Sequence, residues 1–207
     1  DAHHALARVA DAPAPIHNNC SGKHAFMAGA CRAKGWDPDY RPLEHPLQQT
    51  ILERVSEAAA FRPTAAVDGC GVPCFVLPLA GMARAYAHLA VAMGGDEPLG
   101  RIGRAMAENP WWVGGTGSVD TLVMEGGRGR VVAKVGAQAL LCLGFADEGL
   151  GLAVKVLSAD APARAVATRA LLERWLPARV DTQALRAESV IHNWVGREVG
   201  ARTPLFS

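Results

Sequence analysis

Through the first half of the chain, apolar residues recur at helical spacing. In the second half they gather into short continuous runs, which separates a helical part from a strand-rich part. Asn18 and Asn19 offer an N-cap for a helix from about Cys20 to Lys34, which Gly35 closes. A second helix opens at His45-Pro46, where proline suits the first turn. Its Leu47, Ile51 and Val55 mark one buried face before Pro63 ends the segment. Ala65-Ala-Val-Asp-Gly-Cys-Gly-Val-Pro-Cys74 predicts a short strand running into a tight loop, because two glycines and a proline around Cys70 forbid regular continuation. Helices are predicted over 79–93 and 97–108. The second has Leu99, Ile102 and Met106 aligned and stops at Asn109-Pro110. The chain then breaks at Gly114-Gly-Thr-Gly-Ser118.

Three runs rich in valine, leucine and alanine follow, at 130–135, 138–145 and 151–157. With Gly149 in the second turn they predict an antiparallel meander that forms the sheet core. Asp160-Ala-Pro caps a long helix to about Trp175, with Ala167, Leu171 and Trp175 on one face, and a weakly patterned tail completes the chain. The fold class is α/β in the α+β sense, an antiparallel sheet flanked by helices.

The 207 residues, half of them apolar, suffice for a sizeable core. Lysine and arginine total 21 against 20 aspartates and glutamates. That balance lacks the electrostatic footprint that nucleic acid or an anionic membrane requires, and a small-molecule substrate fits it better. Apolar runs such as Ala137–Ala146 fall well short of the roughly 20 residues a transmembrane helix needs. The first ten residues lack a basic start, an apolar stretch and an initiator methionine, so they predict a chain entered mid-helix, with Asp11-Ala-Pro-Ala-Pro15 as a link. The five cysteines, Cys20, Cys31, Cys70, Cys74 and Cys142, are an odd number in a chain too large to need stapling. This favours a reducing compartment, and hence the cytoplasm.

Cys20, Lys23 and His24 stand at i, i+3 and i+4 on the first predicted helix and so share one face, while Cys70 and Cys74 lie in or beside the tight loop. Thiolates and imidazole are donors that zinc prefers, so a tetrahedral site from Cys20, His24, Cys70 and Cys74 is one reading. The spacing is not that of a zinc finger. The alternative is that these cysteines are small buried hydrophobes and His24 a satisfied core histidine. Cys31 and Cys142, inside apolar runs, are core in either case.

Four ordered strings carry a resemblance: His17-Asn-Asn-Cys-Ser-Gly-Lys-His24, Glu44-His-Pro-Leu-Gln48, Asp68-Gly-Cys-Gly-Val-Pro73 and Lys134-Val-Gly-Ala137. Together they resemble the Rhizobium-type L-asparaginase II family. The resemblance implies a fold like that of serine β-lactamases and glutaminases, and hydrolysis of L-asparagine to L-aspartate and ammonia. It also implies a zinc ion held by Cys20, Lys23 and Cys70, which replaces His24 and Cys74 as ligands. A lysine ligand must be neutral, which asks the cation and burial to bring its pKa well below about 10. His24 and Asp68 become residues that orient ligands or bind the substrate's amino group. Lys134 matches the strand lysine beside the cleft in the related hydrolases, which holds the substrate carboxylate or relays protons. A homodimer is the assembly this resemblance brings into view.

In that family the nucleophile is a serine in Ser-x-x-Lys, and none of the chain's serines has a lysine three residues later. The 207 residues are therefore expected to be the C-terminal portion of one asparaginase domain, incomplete at the N-terminus and weakly active alone. Gly114-Gly-Thr-Gly-Ser118 lacks the lysine of a phosphate cradle and is expected to line a cleft. The family pattern has arginine where Ser118 stands, so neither Thr116 nor Ser118 receives a catalytic role. Two other readings stay open, a non-catalytic zinc-stabilised domain and a related hydrolase of glutamine or peptide-like amides.

Overall fold

The computed structural model describes residues 14–205. The predicted mid-helix start and the first part of the proline link lie outside them. The chain divides into two compact units. One takes the chain to Val55 together with Arg62–Val76, and the other takes Ser56–Phe61 with the chain from Leu77 onward.

In the first unit, helix α1 spans Ser21–Lys34 and ends at Gly35, whose φ of 65° is the left-handed conformation that closes a helix. Its N-cap is Cys20 rather than an asparagine. Asn18 serves one step earlier, its Oδ1 accepting from the Cys20 N–H at 2.8 Å. Helix α2 spans Pro46–Ala59 and is capped by its own string. His45 Nδ1 accepts from the Leu47 N–H at 3.1 Å, which leaves Nε2–H to donate to the Asp37 carbonyl at 3.0 Å. Gln48, fully buried, donates to the Tyr40 carbonyl at 2.7 Å. His45 and Gln48 of the Glu44–Gln48 string therefore do structural work. Strands β1 (Thr64–Val67) and β2 (Pro73–Val76) pair antiparallel, so the predicted strand and loop are a complete hairpin. Its turn needs glycine at 71, where φ is 88°.

In the second unit, helices α3 (Leu79–Ala92), α4 (Pro98–Glu108), α5 (Pro110–Gly114) and α6 (Val119–Gly126) precede a three-stranded antiparallel sheet. Its strands, β3 (Val131–Gly136), β4 (Leu140–Phe145) and β5 (Leu150–Lys155), follow the predicted meander closely. Helix α7 (Ala161–Trp175) starts at Asp160, whose side chain accepts from the Ala163 N–H at 3.2 Å. A 3-10 turn over Gln183–Ser189 and a small hairpin, β6 (Val190–His192) with β7 (Glu198–Ala201), complete it.

Both faces of the sheet are covered. Val131, Ala133, Leu141, Leu143 and Phe145 pack with Val123 and Met124 of α6 and Ala165 and Leu172 of α7. On the other face Val132 packs with Ala90, Met93 and Ala107, from and beside α3 and α4. Two predicted helix faces turn out differently. In α4 the buried residues are Gly100, Gly103 and Ala107, while Leu99 and Ile102 are exposed. A Cβ at Gly100 would lie 2.1 Å from the Ala92 carbonyl oxygen, so close helix approach decided the orientation against the larger side chains. In α7 the buried positions are Ala165, Thr168 and Leu172 with Val166 and Ala170, and Trp175 stays exposed.

Gly144 and Gly151 are direct cross-strand partners in β4 and β5. A Cβ on either would meet α3 backbone, 2.0 Å from the Tyr86 oxygen and 1.7 Å from the Ala83 oxygen. The helix thus rests on a saddle where two side chains are absent. Gly151→Ala is expected to cost about 3 kcal/mol or more, because helix and sheet must separate rather than a side chain rotate. Gly29→Ala in α1, where nothing stands within 4 Å of the added Cβ, should instead gain about 0.5–1 kcal/mol. Urea unfolding of both variants checks the pair.

Candidate functional site

The first unit gathers one polar cluster at the start of α1 and the turn of the β1–β2 hairpin. Lys23 Nζ donates to Cys70 Sγ at 3.3 Å and lies 3.7 Å from Asp68 Oδ2. The Cys70 thiol donates to that same carboxylate oxygen at 3.4 Å. Asp68 also accepts from the Gly69 N–H at 2.7 Å, so it serves the turn and the cluster together. Cys20 stands one helical turn before Lys23, near enough to act on its charge. Burial works against the Lys23 ammonium, but the Cys70 bond and the negative groups around it outweigh that effect and raise its pKa above the ordinary lysine value. Asp68 is held below the usual carboxylate range, first by the Gly69 N–H and then by the Cys70 thiol.

His24 and Cys74 take no part in those bonds. The Nδ1 of His24 is 2.9 Å from the Tyr40 hydroxyl, with the rings tilted at 46°. Cys74 belongs to β2, opposite Ala66. Cys31 and Cys142 are buried, and burial pushes the Cys142 thiol up to about 11.

Among the described residues no three histidine, cysteine, aspartate or glutamate side chains converge as a metal group. A site with Cys20 and Cys70, as the resemblance implies, would take its third donor from Lys23. The donor set does suit a soft ion: a tetrahedral zinc with ordinary bond lengths separates a bound sulfur and nitrogen by about 3.6 Å, and Lys23 Nζ and Cys70 Sγ stand 3.3 Å apart. The condition is exchange of the ammonium proton for the cation.

The second unit holds the other candidate lysine. Lys134 lies in β3 opposite Cys142, its side chain 40% exposed. Its partner is Asp120 in the first turn of α6, fully buried and 3.0 Å away. Each oxygen of that carboxylate accepts two bonds. Oδ2 takes Lys134 Nζ at 3.0 Å and the Val135 N–H at 3.1 Å, on the open edge of β3. Oδ1 takes the Ser118 hydroxyl at 2.5 Å and the Thr121 N–H at 3.1 Å. Burial raises the Asp120 pKa, but the Ser118, Val135 and Lys134 bonds prevail and leave it below the ordinary value.

Gly114 lies against the same carboxylate, since a Cβ there would come 2.2 Å from Asp120 Oδ1. The glycine-rich loop thus encloses a buried acid, which the sequence reading did not single out. Its signal was present as a charged residue inside Val119-Asp-Thr-Leu-Val-Met124. A cavity of about 420 Å³ lined by Leu122, Glu125, Gly126, Arg128, Asp181 and Gln183 includes none of these candidate residues.

Because the folded pKa of Asp120 is depressed, its stabilising contribution is present above its unfolded value near 3.8 and is lost as pH falls through the lower folded value. The stability gap between wild type and Asp120→Asn is therefore expected to be widest near neutral pH and to narrow below pH 3.8. Urea unfolding at several pH values measures it; a gap that stays constant would contradict the assignment.

The sequence model of the L-asparaginase II family matches residues 1–204. No match is found among curated proteins. The family match takes in both the cysteine–lysine cluster and the strand lysine with its buried acid, and on that extent the chain belongs to the L-asparaginase II family, a family of amidohydrolases.

Proposed function

We propose that the protein hydrolyses L-asparagine to L-aspartate and ammonia, with zinc held by Cys20, Lys23 and Cys70. The observation that carries the metal assignment is Lys23 Nζ turned onto Cys70 Sγ at 3.3 Å. A lysine this exposed would ordinarily extend into water, and two sulfurs with an amine form the soft donor set that zinc takes. Bound there, zinc would be electron-rich and a weak Lewis acid, suited to fixing substrate rather than to activating water.

Asp68 would orient Lys23 or receive the substrate's amino group, and His24 would support the same face from its Tyr40 contact. Lys134 would hold the substrate carboxylate or pass a proton, since a firmly seated amine can do either. The acylating residue in this reading is a serine outside these residues, because no Ser-x-x-Lys occurs within them. The near balance of charge fits a small substrate, and five free thiols fit a reducing compartment such as the cytoplasm.

The protein expressed from its complete coding sequence is expected to release ammonia from L-asparagine and to carry zinc in proportion to chain, measured by enzymatic ammonia assay and elemental mass spectrometry. Lys23→Ala and Cys70→Ser should lose the metal, while His24→Ala and Cys74→Ser should retain it. Retention by Cys70→Ser would remove this donor set, and loss in both His24→Ala and Cys74→Ser would restore the all-cysteine-and-histidine alternative. Lys134→Ala should lower kcat/KM by about 100-fold, and intact-protein mass spectrometry during turnover should show an acyl adduct on serine.

A further inference from the structure

We infer that Asp120 is a positioning residue for the reaction, a buried carboxylate that sets where Lys134 Nζ stands. The inference rests on the reading of Lys134 as an active-site amine. The two differ in exposure, since Lys134 is 40% exposed and Asp120 is fully buried. A lysine at an open strand edge with this exposure would sample several rotamers and lose side-chain entropy on being fixed. The acid cannot move in response. One oxygen is occupied by Ser118 and the Thr121 N–H, and the other by the Val135 N–H beside the ammonium. Gly114 meets the first oxygen with no Cβ between.

Three features otherwise unconnected to the chemistry then have one purpose. Gly114 makes room, Ser118 fills a lone pair, and the Val135 N–H ties the carboxylate to the strand that carries the lysine. A residue that only stabilised α6 would need the Ser118 and Thr121 contacts alone. The Oδ2 pair adds the reach to residues 134 and 135 together.

Asp120→Asn tests this directly. An amide can present its oxygen to Ser118 and Thr121 or to Lys134 and Val135, but its NH2 then faces the donors on the other side. The 207 residues hold Lys23, Lys34, Lys134 and Lys155, and Lys134→Arg assigns the ¹³C reductive-methylation signal of interest. In the folded wild type, the Lys134 methyl resonance should stand apart from that of an unpartnered lysine. In Asp120→Asn it should move to the unpartnered position, and kcat/KM on L-asparagine should fall about tenfold or more. Ser118→Ala, which keeps the ion pair, should give a smaller change of both in the same direction and serves if Asp120→Asn does not fold. An unmoved Lys134 resonance overturns the inference, as does a moved resonance with unchanged kcat/KM. If the wild-type protein does not hydrolyse L-asparagine, it is the functional reading that fails, while the resonance still decides whether Asp120 holds Lys134.

Discussion

A carboxylate removed from water must have its lone pairs filled or become protonated, and the Asp120 site is built around that requirement. The donors come from the loop before α6, from the first turn of that helix, and from the strand after it. Satisfying one charge therefore fixes the relative position of three consecutive elements. Removing one partner of a buried charged pair typically costs about 3–5 kcal/mol, comparable to a large share of a domain's net stability. The open edge of β3 gains as well, because the Val135 N–H would otherwise lack an acceptor in a half-buried place. The glycine at 114 follows from the same requirement, since any side chain there would occupy the position of the carboxylate.

The cysteine–lysine cluster is held on different terms. The Lys23 and Asp68 side chains are 41% and 45% exposed, and at 3.7 Å in water-like surroundings such a pair is worth at most about 1 kcal/mol. What locates the cluster is backbone: the α1 start on one side and the hairpin turn on the other, the latter set by Gly71 and by Asp68 bonding its own Gly69 N–H. In the proposed zinc site, the side chains would exchange a proton for a cation with little structural change.

Elements whose ends are chemically marked were legible in the sequence. Gly35, the His45-Pro46 pair, Gly149 and Asp160 each punctuate the chain through a local conformational preference, and each stands where the structure begins or ends an element. Faces were less legible. Apolar periodicity in α4 pointed to Leu99 and Ile102, but the helix turned its glycines inward because backbone approach at Gly100 and Gly103 gives closer packing than leucine and isoleucine allow. The same limit applies to the site. Positions i+3 and i+4 each point within about 60° of position i, on either side of it, so spacing from Cys20 alone could not separate Lys23 from His24. The tertiary partners do so, Cys70 for one and Tyr40 for the other. Asp120 escaped notice because its role lies in donors 14 and 15 residues away, a separation that no local pattern encodes.

The two lysines occupy opposite physical regimes, and that contrast bears on what each can do. Lys23 is surrounded by groups that each lose little on parting from it: a polarizable thiol, a solvated carboxylate and a second thiol one turn away. They raise its proton affinity, yet they are the same atoms that would stabilise a divalent ion in place of that proton. Lys134 faces a fully buried acid with no spare lone pair, so its loss would strand a buried charge. The first environment suits replacement of a bound cation, and the second suits a fixed position through a reaction cycle. One chain thus sets the same side chain in two environments, and the burial of the partner carboxylate separates them more sharply than any difference at the lysines themselves.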